Sequence, residues 1–215
     1  MKIYDISMTI TPDMPVYKGR TEKRPHMSTD SDFNTGTAYE TRINMNLHTG
    51  THIDAPLHFV EGGGTIDGMP LEKTICKCRV IDVTHVAEGI SATDIEGKTI
   101  EAGDFVLLKS RNSFEDILEG NFVYLDSTGA KYLKDKGIAG VGSDALGIER
   151  AQPHHETHKA LLGSGIVILE GLRLADVPEG EYLLVAAPVK IQAEAAPVRA
   201  ILISGLDIQI CGGDA

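Results

Sequence analysis

Short runs rich in β-branched residues, each closed by a turn, recur at residues 2–10, 40–47, 78–86, 104–110, 122–126, 138–141, 166–169, 182–187 and 198–204. Runs of that length and composition read as strands. Helical signals are fewer. Residues 128–136 form one, stopped by Gly137, and residues 154–162 another, stopped by Gly163; a shorter one opens at Ser91 or Thr93, either of which suits a cap. Strands outnumber helices and do not alternate strictly with them. That pattern favours a β-rich, mixed-sheet α/β or α+β domain over a doubly wound parallel sheet. No repeat, low-complexity tract or linker divides the 215 residues, so a single domain spanning 1–215 is expected.

The formal net charge of -11 repels polyanions, which argues against nucleic acid and anionic bilayers as partners. The opening MKIYDISMTI lacks the basic end and unbroken apolar run of a secretory signal, and no apolar stretch approaches the roughly 20 residues that span a bilayer. A cytoplasmic protein is expected. Cys76 and Cys78 alternate along a strand-like run and read as reduced packing residues, because a lone C-x-C with no second pair is a weak zinc signal. Nucleotide cofactors find no support: the triplet Gly62-Gly63-Gly64 belongs to no phosphate-binding spacing.

The segment HTGTHIDAPLHF, residues 48–59, concentrates His48, His52, Asp54 and His58. Gly50 and Pro56 argue against a helix there. On an extended chain all four side chains project to one side, with Gly50 leaving space between the first two, so the segment lines one wall of a pocket. Pro56 ends regular pairing and sets His58 on a turn at the rim. Imidazole nitrogen with carboxylate oxygen is the donor set for zinc, manganese or iron, and no thiolate lies nearby to favour a structural zinc knuckle.

A second cluster, residues 147–172, holds His154, His155, His158 and Glu170. His154 and His158 are four apart and share a helix face, yet His154 and His155 read best as solvated residues near a helix start. His158 lies deeper, beside Ala160-Leu161-Leu162. Glu170 closes the apolar run from Ile166; a carboxylate there either reaches solvent at the strand end or is compensated by a cation.

HTGTHIDAPLHF resembles the H-x-G-T-H-x-D-x-P-x-H-F signature of the metal-dependent cyclase-like hydrolases, the family that contains bacterial kynurenine formamidase. The resemblance continues through His158, Glu170 and ILEGLRLADVPEGEYLLVAAPVKI to APVRAIL at residues 196–202. It implies a β-rich α/β domain of the swivelling type, assembled as a homodimer or larger homo-oligomer. It also implies two divalent metal ions, usually zinc and in some relatives manganese. His48, His52 and Asp54 would hold one, Asp54 would bridge to the second, and His158 and Glu170 would complete the pair. His58 matches the family's catalytic acid/base.

One departure concerns the substrate. Kynurenine formamidases carry P-V-W-P-G near the N-terminus, with the tryptophan on the aromatic substrate. This chain reads Pro15-Val16-Tyr17-Lys18-Gly19 and contains no tryptophan. Tyr17 offers a smaller face for stacking and a hydroxyl to satisfy. The reading is therefore an amide or formamide hydrolase acting on a small aromatic or cyclic substrate. Lactam ring opening of the isatin type and cyclase or dehydratase chemistry stand as rivals within the family, and a metal-stapled binding protein as a rival outside it.

Overall fold

The computed structural model describes residues 1–115 and 121–205. Its strands are β1 (Lys2–Asp5), β2 (His26–Ser31), β3 (Glu40–Asn44), β4 (His52–Asp54), β5 (Ile75–Asp82), β6 (Gly89–Ile90) and β7 (Phe105–Lys109). They continue with β8 (Tyr124–Leu125), β9 (Gly140–Ser143), β10 (Val167–Glu170), β11 (Gly180–Val185), β12 (Ala195–Pro197) and β13 (Ile201–Ser204). The α-helices are α1 (Ala92–Ile95), α2 (Ser127–Asp135) and α3 (Glu156–Leu162).

One mixed sheet of nine strands organises the molecule, in the order β1-β13-β11-β5-β7-β9-β10-β4-β12. Its centre, β5-β7-β9-β10, is parallel, and antiparallel strands extend it on both sides. The β-rich mixed α/β class read from the sequence is the observed one. Both sheet faces are buried, and successive residues serve opposite cores. Val80, Phe105, Leu107 and Leu169 join the core that includes Ile53 and Leu202, whereas Ile81, Val106, Leu108, Val141 and Ile168 pack beneath α2 and α3. Each fully buried Ile or Leu contributes roughly 1.5–3 kcal/mol.

The helix signals are placed with short corrections. α2 starts a residue before the expected 128, because the Asp126 carboxylate accepts from Thr128 N and Gly129 N and caps it. α1 opens at Ser91, whose own N–H donates to the Asp94 carboxylate at 2.8 Å. α3 begins at Glu156 rather than 154, since His155 sits in the left-handed region at φ 54°. His154 therefore precedes the helix, is exposed, and shares no helix face with His158. Residues 122–126 contribute only β8, which pairs with β6 outside the main sheet. Cys76 and Cys78 are free thiols on β5 that pack into or against the first core, where burial raises Cys76 to about 11 and Cys78 higher still.

Two features prepare the site. β4 lies between β10 and β12, pairing Glu170 with His52 and Ile168 with Asp54 on one side, and Ala195 with Asp54 on the other. The hairpin β2–β3 is exposed along nearly its whole length. Among the described residues no helix is long and apolar enough to cross a membrane.

Candidate metal centre and active site

Because side chains alternate along β4, His52 and Asp54 share one face, and the register adds Glu170 to it. His52 is locked by its Nδ1, 2.9 Å from the Gly50 carbonyl, so its Nε2 turns to the carboxylates. That nitrogen lies 3.3 Å from Glu170 Oε2 and 3.6 Å from Asp54 Oδ1.

His48 does not reach this group along an extended strand. Residues 48–51 form a turn, with Gly50 at φ +73°, and the turn folds His48 back until its Nδ1 is 3.0 Å from Asp54 Oδ1. Parity along one strand thus accounts for His52 and Asp54 alone. Nor does Gly50 leave open space, because a Cβ there would meet Met14 Cε at 3.2 Å. Its role is the positive φ.

From α3, His158 Nε2 points between Asp54 Oδ2 at 3.8 Å and Glu170 Oε1 at 3.4 Å. Its other nitrogen is 2.8 Å from Glu149 Oε1. Glu149, absent from the sequence reading, is buried and also gathers His155 Nδ1 at 2.7 Å and the amides of Thr157 and Gln152 at 2.9 and 3.2 Å. Sequence offered only a weak signal for it: a glutamate in an irregular stretch six residues ahead of His155.

His58 ends the 3-10 turn Pro56–His58, as the proline implied. The glycine triplet braces that turn, Leu57 N–H donating to the Gly64 carbonyl at 3.1 Å. The half-buried His58 ring stacks on His48 and meets Phe59 edge-on, with centroid distances of 4.0 and 4.3 Å. A cavity of about 320 Å³ opens here, lined by His48, His58, Phe59, His158, Glu170 and Tyr17. Tyr17 packs against Gly147 and lies 6.2 Å from the Phe122 ring.

The electrostatics divide these histidines. Burial opposes charge on His52, but the Glu170 and Asp54 carboxylates hold it up at about 9. Burial likewise opposes charge on His158, yet Glu149 and Glu170 raise it to about 10. Burial prevails at His58, which falls to about 4 and is neutral at neutral pH.

A buried carboxylate needs donors or a cation. Asp144 shows the first solution, taking Ser110 N and Oγ at 2.8 and 2.7 Å and Ser113 Oγ at 2.7 Å. Asp54 calls for the second: it is fully buried, and neither carboxylate oxygen has a hydrogen-bond partner, nor do His48 Nε2 and His52 Nε2. Among the described residues, donor atoms lying within 4.8 Å of one another group as His52, Asp54 and Glu170; as His48, Asp54 and His58; and as Glu149, His155 and His158. Asp54 belongs to the first two. The donor set therefore fits a divalent cation.

Residues 4–150 match the Cyclase family model. The chain belongs to the Cyclase family. Among Cyclase-family relatives, the kynurenine formamidase of Erythrobacter litoralis is 36% identical over 208 residues, covering 94% of this chain and 93% of its own. A solved structure described as a potential metal-dependent hydrolase with cyclase activity superposes with TM-score 0.87 at 50% identity, covering 94% and 96% of the two chains. Isatin hydrolase A from Labrenzia aggregata, bound to benzyl benzoate, superposes with TM-score 0.81 at 26% identity, covering 94% and 93%.

Proposed function

We propose that the chain is a metal-dependent amide hydrolase that cleaves the formamide bond of a small aromatic substrate, adding water to give an amine and formate. The observation carrying this reading is the Asp54 carboxylate, fully buried and without a hydrogen-bond donor, amid nitrogen and oxygen donors of His48, His52, His158 and Glu170. On this reading these residues would hold two divalent ions, and the nitrogen-and-oxygen donor set favours zinc, with manganese as the second choice. When bound, such ions activate water at neutral pH and polarise a carbonyl oxygen.

His58 supplies the proton traffic. It enters the reaction neutral, so it first accepts the proton released as water attacks the carbonyl, then delivers it to the departing amide nitrogen. Stacking on His48 and an edge-on contact with Phe59 fix the ring for both transfers. Glu149 orients His158, and Tyr17 provides the aromatic wall. A homo-oligomeric assembly belongs to the same reading, supported by the exposed β2–β3 hairpin with Met27, Phe33, Tyr39 and Ile43 open to solvent.

The test measures bound metal and then assays aryl formamides, isatin-like lactams and simple esters with and without chelator. Formamide turnover that disappears with the metal and returns on adding it back is the expected result. Chelator-resistant turnover removes the mechanism. Lactam turnover exceeding formamide turnover would shift the reading to ring opening.

A further inference from the structure

A histidine that binds a metal through one ring nitrogen is oriented by whatever accepts a hydrogen bond from the other. At His52 the Gly50 carbonyl lies 2.9 Å from Nδ1, and at His158 Glu149 Oε1 lies 2.8 Å from Nδ1. Both rings therefore turn Nε2 to the carboxylates of Asp54 and Glu170. His48 is the reverse: its Nδ1 faces Asp54 Oδ1 at 3.0 Å, and its Nε2 lies 3.3 Å from Oε1 of Glu194.

Glu194 reaches His48 by construction. Its own carbonyl accepts from Ala55 N at 2.8 Å, and the next residue, Ala195, pairs with Asp54 in the β4–β12 ladder. The ladder that orders Asp54 thus also delivers Glu194 beside His48. Among the described residues the Glu194 carboxylate has no other ion pair or hydrogen bond, so no competing partner accounts for its place. Turning the His48 ring over would set carbon atoms against both carboxylates, so the chemistry favours the observed orientation. Nε2 and Glu194 stand within ion-pair reach without the alignment of a hydrogen bond, and the partly exposed Glu194 side chain has room to close that angle. The His48 ring also stacks on His58 at 4.0 Å, so whatever fixes its plane fixes the surface on which His58 rests.

Building on the metal-dependent hydrolase reading, we infer that Glu194 is a positioning residue for the metal centre: it accepts a hydrogen bond from His48 Nε2–H, so that His48 meets its ion through Nδ1 where His52 and His158 use Nε2. Unlike the buried Glu149, Glu194 is partly exposed. Solvent there weakens its charge and leaves the acceptor oxygen as its main contribution. Glutamine keeps that oxygen, and alanine removes it.

The experiment strips wild type, Glu194→Gln and Glu194→Ala with chelator and titrates each with zinc alone. Zinc affinity, read by competition with a chromogenic chelator, should fall ~10–100-fold in Glu194→Ala and stay within about threefold of wild type in Glu194→Gln. A second arm records long-range proton–nitrogen NMR correlations on zinc-loaded wild type labelled with nitrogen-15 histidine. It should show an imidazole bound through Nδ1, its proton on Nε2, beside others bound through Nε2. Unchanged affinity in the alanine variant, an equal loss in both variants, or Nε2 coordination by every bound imidazole would overturn the inference, the last even if the variants fail to fold. No arm depends on substrate. Zinc held as described by a protein that turns over no amide would sink only the hydrolase reading, whereas amide turnover by a protein whose bound imidazoles all use Nε2 would sink only this inference.

Discussion

The imidazole of His58 lies over that of His48, with centroids 4.0 Å apart and planes inclined by 30°. One ring faces the buried Asp54 carboxylate at 3.0 Å, while the other is held against it. In the proposed reading the pair separates metal binding from proton transfer. His58→Ala should leave metal content intact and lower kcat by ~10²–10⁴-fold, the usual share of general acid–base catalysis. Asp54→Ala should instead empty the site. Metal analysis beside steady-state kinetics checks both, and loss of metal in the His58 variant would make that residue a ligand, as its grouping with His48 and Asp54 permits.

Glu149 acts through His158, whose Nδ1 it holds at 2.8 Å while Nε2 faces Glu170. Glu149→Gln keeps an acceptor but removes the charge. Metal affinity should fall ~10–100-fold with the fold intact, as for other partners that orient metal-binding histidines. Competition with a chromogenic chelator gives the affinity, and circular dichroism the fold. Unchanged affinity would assign Glu149 to packing.

Stability should depend on pH in opposite ways with and without metal. In the metal-free protein His52 and His158 rise to about 9 and about 10, above the ordinary ~6.5. A raised folded-state value means stabilisation that is complete below about pH 6.5 and lost as pH climbs through the folded values. Tm in chelator should therefore decline between roughly pH 6.5 and 10. Metal replaces those protons, so the loaded protein should keep its Tm at alkaline pH and weaken in acid. Superimposable profiles from calorimetry would contradict the donor assignment.

Gly171 follows Glu170 at φ +71°, and a Cβ there would lie 2.3 Å from the Gly50 carbonyl oxygen. That carbonyl is the one fixing His52 Nδ1. Gly171→Ala should cost about 2 kcal/mol or more, a fall of roughly 4–8 °C in Tm for a chain of this size. Thermal unfolding with and without metal measures it, and a Tm within a degree of wild type would show that the backbone yields at no cost.

Much of this site was legible because its donors cluster in two short windows whose residue types permit few other roles. The β-branched runs likewise revealed the central strands, since burial on both faces demands such residues. The turn through Gly50 was not legible: an extended chain and a tight turn both bring His48 near Asp54, and only the tertiary fold chooses between them. Glu149 escaped because it lies on irregular backbone, where no period connects it to its partners. β12 escaped for a related reason, its Ala195-Ala196-Pro197 having little β-propensity of its own and existing as a strand through β4. His155 is exposed at the helix start, as it read, and tertiary packing also gives it a share of Glu149.

β4 has neighbours on both sides, and its pairing with β10 sets His52 opposite Glu170. A slip of one residue would turn His52 and Asp54 into the opposing core and bring Ile53 out in their place. Alignment of His52, Asp54 and Glu170 is thus inherited from the hydrogen-bond ladder itself and lasts as long as the ladder does. Inactive yet folded preparations should accordingly be repaired by supplying ions, with no need to refold the chain.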